Sequence, residues 1–99
     1  MAQFDVHRMT SGAGLVVDCQ SGLIEHLNTR LVVPLIPRSA APTPAHRLNP
    51  VFEIGEREYV MVTQFAAAVE RRELGDAIAS LQHRSFEIVG ALDVLVSGV

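Results

Sequence analysis

The sequence predicts a mainly β protein closed by one C-terminal α-helix: a small, partly open barrel in a single domain spanning residues 1–99. Three observations predict it. Five or more short runs of strand character follow one another through turns, with no helix between the early ones. The second half of Gly75 to Val99 reads as a helix with almost no polar side. A chain of 99 residues suffices for one hydrophobic core.

Gln3 to Met9 alternates, with Phe4, Val6 and Arg8 to one side, and reads as the first strand. The turn-rich Thr10 to Gly14 leads into Leu15 to Cys19, the return strand of a hairpin. Ser21-Gly22 breaks the pattern, and Leu23-Ile24 then places two large aliphatics in a loop. Leu31 to Ile36 is a third, β-branched and buried strand, in which Pro34 implies an edge or a bulge near its end. Four prolines between Pro37 and Pro50 disfavour helix and central strand, so this stretch reads as an excursion. Val51 to Ile54, Gly55-Glu56 and Glu58 to Thr63 make a strand, a tight turn and a strand. Gln64 to Val69 suits either more sheet or a helical turn, and Glu70 to Glu73 reads as a solvated charged segment.

From Phe86 onward only Glu87 and Asp93 carry charge. Ile88, Leu92 and Leu95 form one helical stripe, and Val89, Val96 and Val99 form another. A helix resting on one core needs a single apolar stripe, so a helix with two is expected to be covered on two sides. The barrel supplies one cover and a second protein the other.

Composition narrows the function classes. Apolar residues make up 48% of the chain against 19% charged, which excludes intrinsic disorder. The net charge is −3 and the eight basic residues are all arginine, an unpromising balance for a strongly electrostatic nucleic-acid binder. A lone Cys19 allows no internal disulfide and fits a reducing cytoplasm. The N-terminus lacks the basic and apolar regions of a signal peptide, and no apolar run reaches ~18 residues, so no membrane association is expected.

Enzymatic motifs are sparse. His7, His26, His46 and His83 are scattered without metal-ligand spacing, so neither metal nor cofactor is expected. Cys19 stands in a run of valines and reads as a buried small hydrophobe rather than a nucleophile. Glu25 and His26 near Arg30 offer the one acid–base and electrophile set, as a ribonuclease would use. Two other features point to a protein-binding surface: Leu23-Ile24, and the terminal Val96-Ser97-Gly98-Val99.

The order of several stretches resembles the CcdB family, the toxin half of bacterial toxin–antitoxin pairs. They are Gln3-Phe4, Val17-Asp18-Cys19-Gln20-Ser21, Arg30 through Val33-Pro34-Leu35, Leu48-Asn49-Pro50-Val51 with Ile54-Gly55, and Leu81-Gln82-His83-Arg84. The resemblance covers almost the whole chain. It implies an SH3-like small barrel with a C-terminal helix, shared with the MazF ribonuclease toxins. It implies a homodimer through Ile88, Val89, Leu92, Leu95 and Val96, and no catalytic residue. The implied target is the DNA gyrase A subunit, trapped as a cleaved gyrase–DNA complex. The implied neutraliser is a CcdA-like antitoxin, with operator DNA engaged only through the toxin–antitoxin complex. Carried over by position, the gyrase contacts fall on Leu23, Ile24, Asp93, Val96, Ser97, Gly98 and Val99. At Ser97 the chain departs from the family, which has a Trp there. The implied alternatives are a homologue that keeps dimer and antitoxin binding without gyrase poisoning, and an endoribonuclease on the same barrel.

Overall fold

The computed structural model describes residues 2–12 and 14–98. The strands are β1 (Asp5–Met9), β2 (Leu15–Asp18), β3 (Thr29–Pro37), β4 (Val51–Ile54), β5 (Arg57–Met61), β6 (Ala67–Glu70) and β7 (Leu74–Ser80), and the chain ends in α1 (Ser85–Ser97). All pairings are antiparallel, in the order β4-β5-β3-β2-β1-β7, with β6 paired to β3. The sheet curls into a half-barrel, the partly open form expected from the strand pattern.

Register sorts the side chains into two faces. Val6 of β1 faces Val17 of β2, which faces Val33 of β3, and all three are 0% exposed. This row lies in the main core with Phe4, Leu35, Phe52, Met61, Leu81, Ile88 and Ala91. Burying each valine contributes roughly 1.5–3 kcal/mol. The opposite face carries a smaller cluster of Val16, Val32 and Leu74.

Of the edge or bulge expected at Pro34, the edge is not found: β3 is a central strand, paired with β2 on one side and with β6 and then β5 on the other. The physical reason is a change of partner. β6 accompanies β3 up to Val32, and β5 takes over at Leu35, so the proline sits at the handover, where no ladder N–H is needed on that side. Its carbonyl still accepts from Val62 N at 3.0 Å. The ambiguous Gln64–Val69 stretch is both things in turn: a 3₁₀ turn at Thr63–Phe65, then β6. The Pro37–Pro50 excursion is tied down by buried Asn49. Its side chain accepts from Ala45 N at 3.0 Å and donates to Met61 O at 3.1 Å and Gln64 Oε1 at 2.8 Å.

β7 has no counterpart among the strands expected from sequence. Gly75, Asp76, Ala77, Ala79 and Ser80 give it little strand character. It forms because β1 supplies a partner edge and because Gly75 permits contact: a Cβ there would lie 2.9 Å from Arg8 O. α1 packs chiefly on Thr63–Phe65 and on the 3₁₀ turn at Gln82–Arg84, and ends at Gly98, whose φ of 77° suits glycine. Arg84 donates to both Glu87 carboxylate oxygens across the helix start, which holds that carboxyl below the usual range. Among the described residues, no helix is long and apolar enough to cross a membrane.

Candidate functional site

The connection between β2 and β3 is a braced turn. At its start Ser21 Oγ accepts from Leu23 N at 3.1 Å, which caps the 3₁₀ turn Gly22–Ile24. Gln20 lies beneath it, donating to Ile24 O at 3.0 Å and accepting from Leu31 N at 3.0 Å. From the other side Arg71 donates to Glu25 O at 2.8 Å. Its own N–H donates to Asn28 O at 2.9 Å. The charged Glu70–Glu73 segment is therefore more than a wet stretch, because it ties this turn to β6.

Under the brace lies a buried ion pair. Arg30 Nε and Nη2 donate to Asp18 Oδ2 at 2.9 and 2.6 Å, and both side chains are fully enclosed. Asp18 Oδ1 accepts from Gln20 N at 3.0 Å. A desolvated carboxylate satisfied by a forked guanidinium and a backbone N–H fixes where β2 ends and β3 begins. This engagement removes Arg30 from the ribonuclease set: its guanidinium is spent on Asp18 and is not open to a phosphate, while Glu25 and His26 lie exposed. Burial, then the neighbouring Asp18 charge, pushes the Cys19 thiol up to about 12, so it is a core side chain and no nucleophile at neutral pH.

The brace presents a hydrophobic knob. Leu23 is 90% exposed and Ile24 stands beside it, partly exposed. The second expected patch lies at the end of α1, where Val96 is 84% exposed and Asp93, Ser97 and Gly98 are exposed too. Ser97 Oγ donates back to Asp93 O at 2.8 Å, folding its hydroxyl onto the helix. The helix's main packing partners do not include the Gly22–Ile24 turn, so a single chain carries the two patches on separate elements. Val99 lies outside the described residues.

The expected dimer residues divide. Ile88 is completely buried in the chain's own core, so it has no surface left for a partner. Leu92 is half-buried against that core, while Val89, Leu95 and Val96 are exposed, as is Phe86 at 94%. The apolar character noted in the sequence is thus divided between the barrel and open surface.

A family-wide sequence profile described as CcdB protein matches residues 3–98. The chain belongs to the CcdB family. That membership places it with the toxins of the CcdA/CcdB toxin–antitoxin system, and the half-barrel with its terminal helix accords with it. Sequence reasoning found the exposed aliphatics of this CcdB-family chain and missed the residues that hold them. Asp18 and Gln20 stood in a stretch that carries the family resemblance but were given no role, and Arg71 was read only as part of a solvated segment. Asp18 and Arg30, charges set directly against buried strands, were the available signal.

Proposed function

We propose that this protein is a CcdB-type toxin acting as a cytoplasmic homodimer on the DNA gyrase A subunit and trapping the cleaved gyrase–DNA complex. Its expected neutraliser is a CcdA-like antitoxin, and operator DNA would be engaged only through the toxin–antitoxin complex. The observation that carries the reading is the exposed apolar surface in two places: the braced Leu23-Ile24 knob and the Val96–Gly98 end of α1. Side chains held in place before binding lose less entropy on association. In this reading gyrase meets Leu23, Ile24, Asp93, Val96, Ser97 and Gly98, with Val99 completing the end. A second copy covers Val89, Leu92, Leu95 and Val96, and Ile88 supports that face from inside.

The test uses purified protein, supercoiled plasmid and gyrase from the same host. Linear DNA released on denaturation is the expected product, and none at saturating protein would sink the proposal. Ser97 supports a second reading, in which dimer and antitoxin binding persist without poisoning. A central aromatic anchor contributes roughly 2–4 kcal/mol to an interface, which is about 30- to 1,000-fold in affinity. Ser97 has no aromatic surface to offer. Under this reading Ser97→Trp restores gyrase binding; if binding stays absent, this one position does not explain the loss.

A further inference from the structure

α1 is buried at one end only. Its two buried side chains, Ile88 and Ala91, lie in its first two turns, and no described residue after Ala91 is fully buried. No side chain caps its start. The Val96–Gly98 end is therefore the tip of an overhang. The helix runs 13 residues, which is about 20 Å at ~1.5 Å per residue. Over that length a tilt of about 15° carries the tip roughly 5 Å. The tip and the Leu23–Ile24 knob stand on separate elements, so the tilt of α1 decides their spacing.

One side chain ties the start of the helix to the sheet. Arg84 Nε and Nη2 donate to the two carboxylate oxygens of Glu87, one turn into α1. Nη2 also reaches Val51 O of β4 at 3.5 Å. The guanidinium lies 4.8 Å from the centre of the Phe52 ring, a buried member of the main core. A single planar group thus bridges the two elements: its fork takes the helix carboxylate and its face rests on a ring of β4. Its side chain is 33% exposed, against 53% for Arg38 and 84% for Arg72 in the other surface pairs, so it is packed where they are solvated. Three residues earlier, Leu81 N donates to Phe4 O at 2.9 Å, which pins the chain entering α1 to β1. With that pivot fixed, the angle of the helix is the freedom left for Arg84 to remove. A partly exposed pair contributes little to stability, whereas a forked and stacked arginine holds a direction.

We infer that Arg84 is a positioning residue that sets the tilt of α1, and through it the spacing between the Val96–Gly98 tip and the Leu23–Ile24 knob. Arg84 acts through the helix rather than on the partner. A partner that meets both patches finds them at a fixed separation, so less entropy is lost in ordering the helix on binding. That consequence rests on the gyrase reading; the tilt itself does not.

The experiment places nitroxide spin labels on L23C/S97C and reads their separation by pulsed electron paramagnetic resonance. Labelled chains are diluted into unlabelled protein, so that distances within one chain are read. Cys19 is buried and stays unlabelled. With Arg84 present, a single narrow distribution is expected. R84M in the same labelled background should broaden it or move its centre by roughly 5 Å. R84K should fall between, because an ammonium cannot take both carboxylate oxygens and the ring face together. The charge swap R84E/E87R should not restore the wild-type distribution, because it rebuilds the pair within the helix and not the contact with β4. The melting temperature of R84M should fall by no more than about 8 °C. In calorimetry with the gyrase A subunit, R84M without labels should bind about tenfold more weakly than the wild type. If the wild type binds no gyrase, the functional reading fails while the spin-label distances still decide the tilt. An R84M distribution matching the wild type, or a charge swap that restores it, would overturn the role of Arg84. So would a fall in melting temperature beyond about 15 °C, or undiminished R84M binding where the wild type binds gyrase.

Discussion

Arg30→Met is expected to destabilise the fold strongly. Arg30 and Asp18 are buried, joined by two hydrogen bonds of 2.9 and 2.6 Å to one carboxylate oxygen. Methionine fits the volume of the arginine stem and leaves the Asp18 charge unpaired. Removing one partner of a buried pair costs about 3–5 kcal/mol. Domains of this size have about 5–15 kcal/mol of stability in total. The melting temperature should therefore fall by roughly 12–40 °C, at 4–8 °C per kcal/mol. Arg30 also donates weakly to Glu25 O at 3.5 Å, so Gln20 and Arg71 remain to hold the turn. Asp18→Leu combined with Arg30→Met removes both charges and should recover most of the loss, because paired apolar replacements of buried ion pairs are often neutral. Urea denaturation of the wild type, both single variants and the double variant measures the cycle. A loss below about 1 kcal/mol for Arg30→Met, or a double variant as unstable as the two losses added, would refute the buried-pair account.

Four more outcomes follow from the same structure. Leu23→Asp changes a 90% exposed side chain, so partner binding measured by calorimetry should drop with the melting temperature nearly unchanged. Gly75→Ala forces a Cβ to 2.9 Å from Arg8 O, so β1 and β7 must separate; the loss should be about 1–3 kcal/mol, read by denaturation. Cys19, its thiol pushed up to about 12, should resist iodoacetamide at pH 8, where roughly one thiol in ten thousand is ionised, and should react once the protein unfolds. Leu92→Asp sets a carboxylate against the core and should unfold the chain or prevent its self-association in sedimentation experiments.

The fold was legible where the sequence alternates strongly. Val6 in an alternating run, and Val17 and Val33 in β-branched ones, form one row of the core. β7 was illegible because its alanines, glycine and serine carry almost no strand preference, and the neighbouring β1 edge decides its conformation. Pro34 misled because a proline is excluded only where its missing N–H is needed, and the change of partner from β6 to β5 removes that need. The candidate site divides in the same way. Leu23, Ile24 and Val96 were legible as large aliphatics in places that rarely bury them. The hydrogen bond from Arg71 to Glu25 spans 46 residues, and local patterning carries no trace of a contact that depends on the finished sheet. Arg30 was legible as chemically loaded, but its partner was Asp18 across the hairpin rather than the adjacent Glu25 and His26.

The most direct measurement of the central claim is growth of a gyrase-sensitive strain and a gyrase-resistant strain after induction of this protein. Growth arrest is expected in the sensitive strain, relief in the resistant one, and relief in both when Leu23→Asp replaces the wild type. Equal arrest in the two strains, or normal growth in the sensitive strain with folded protein present, would contradict it.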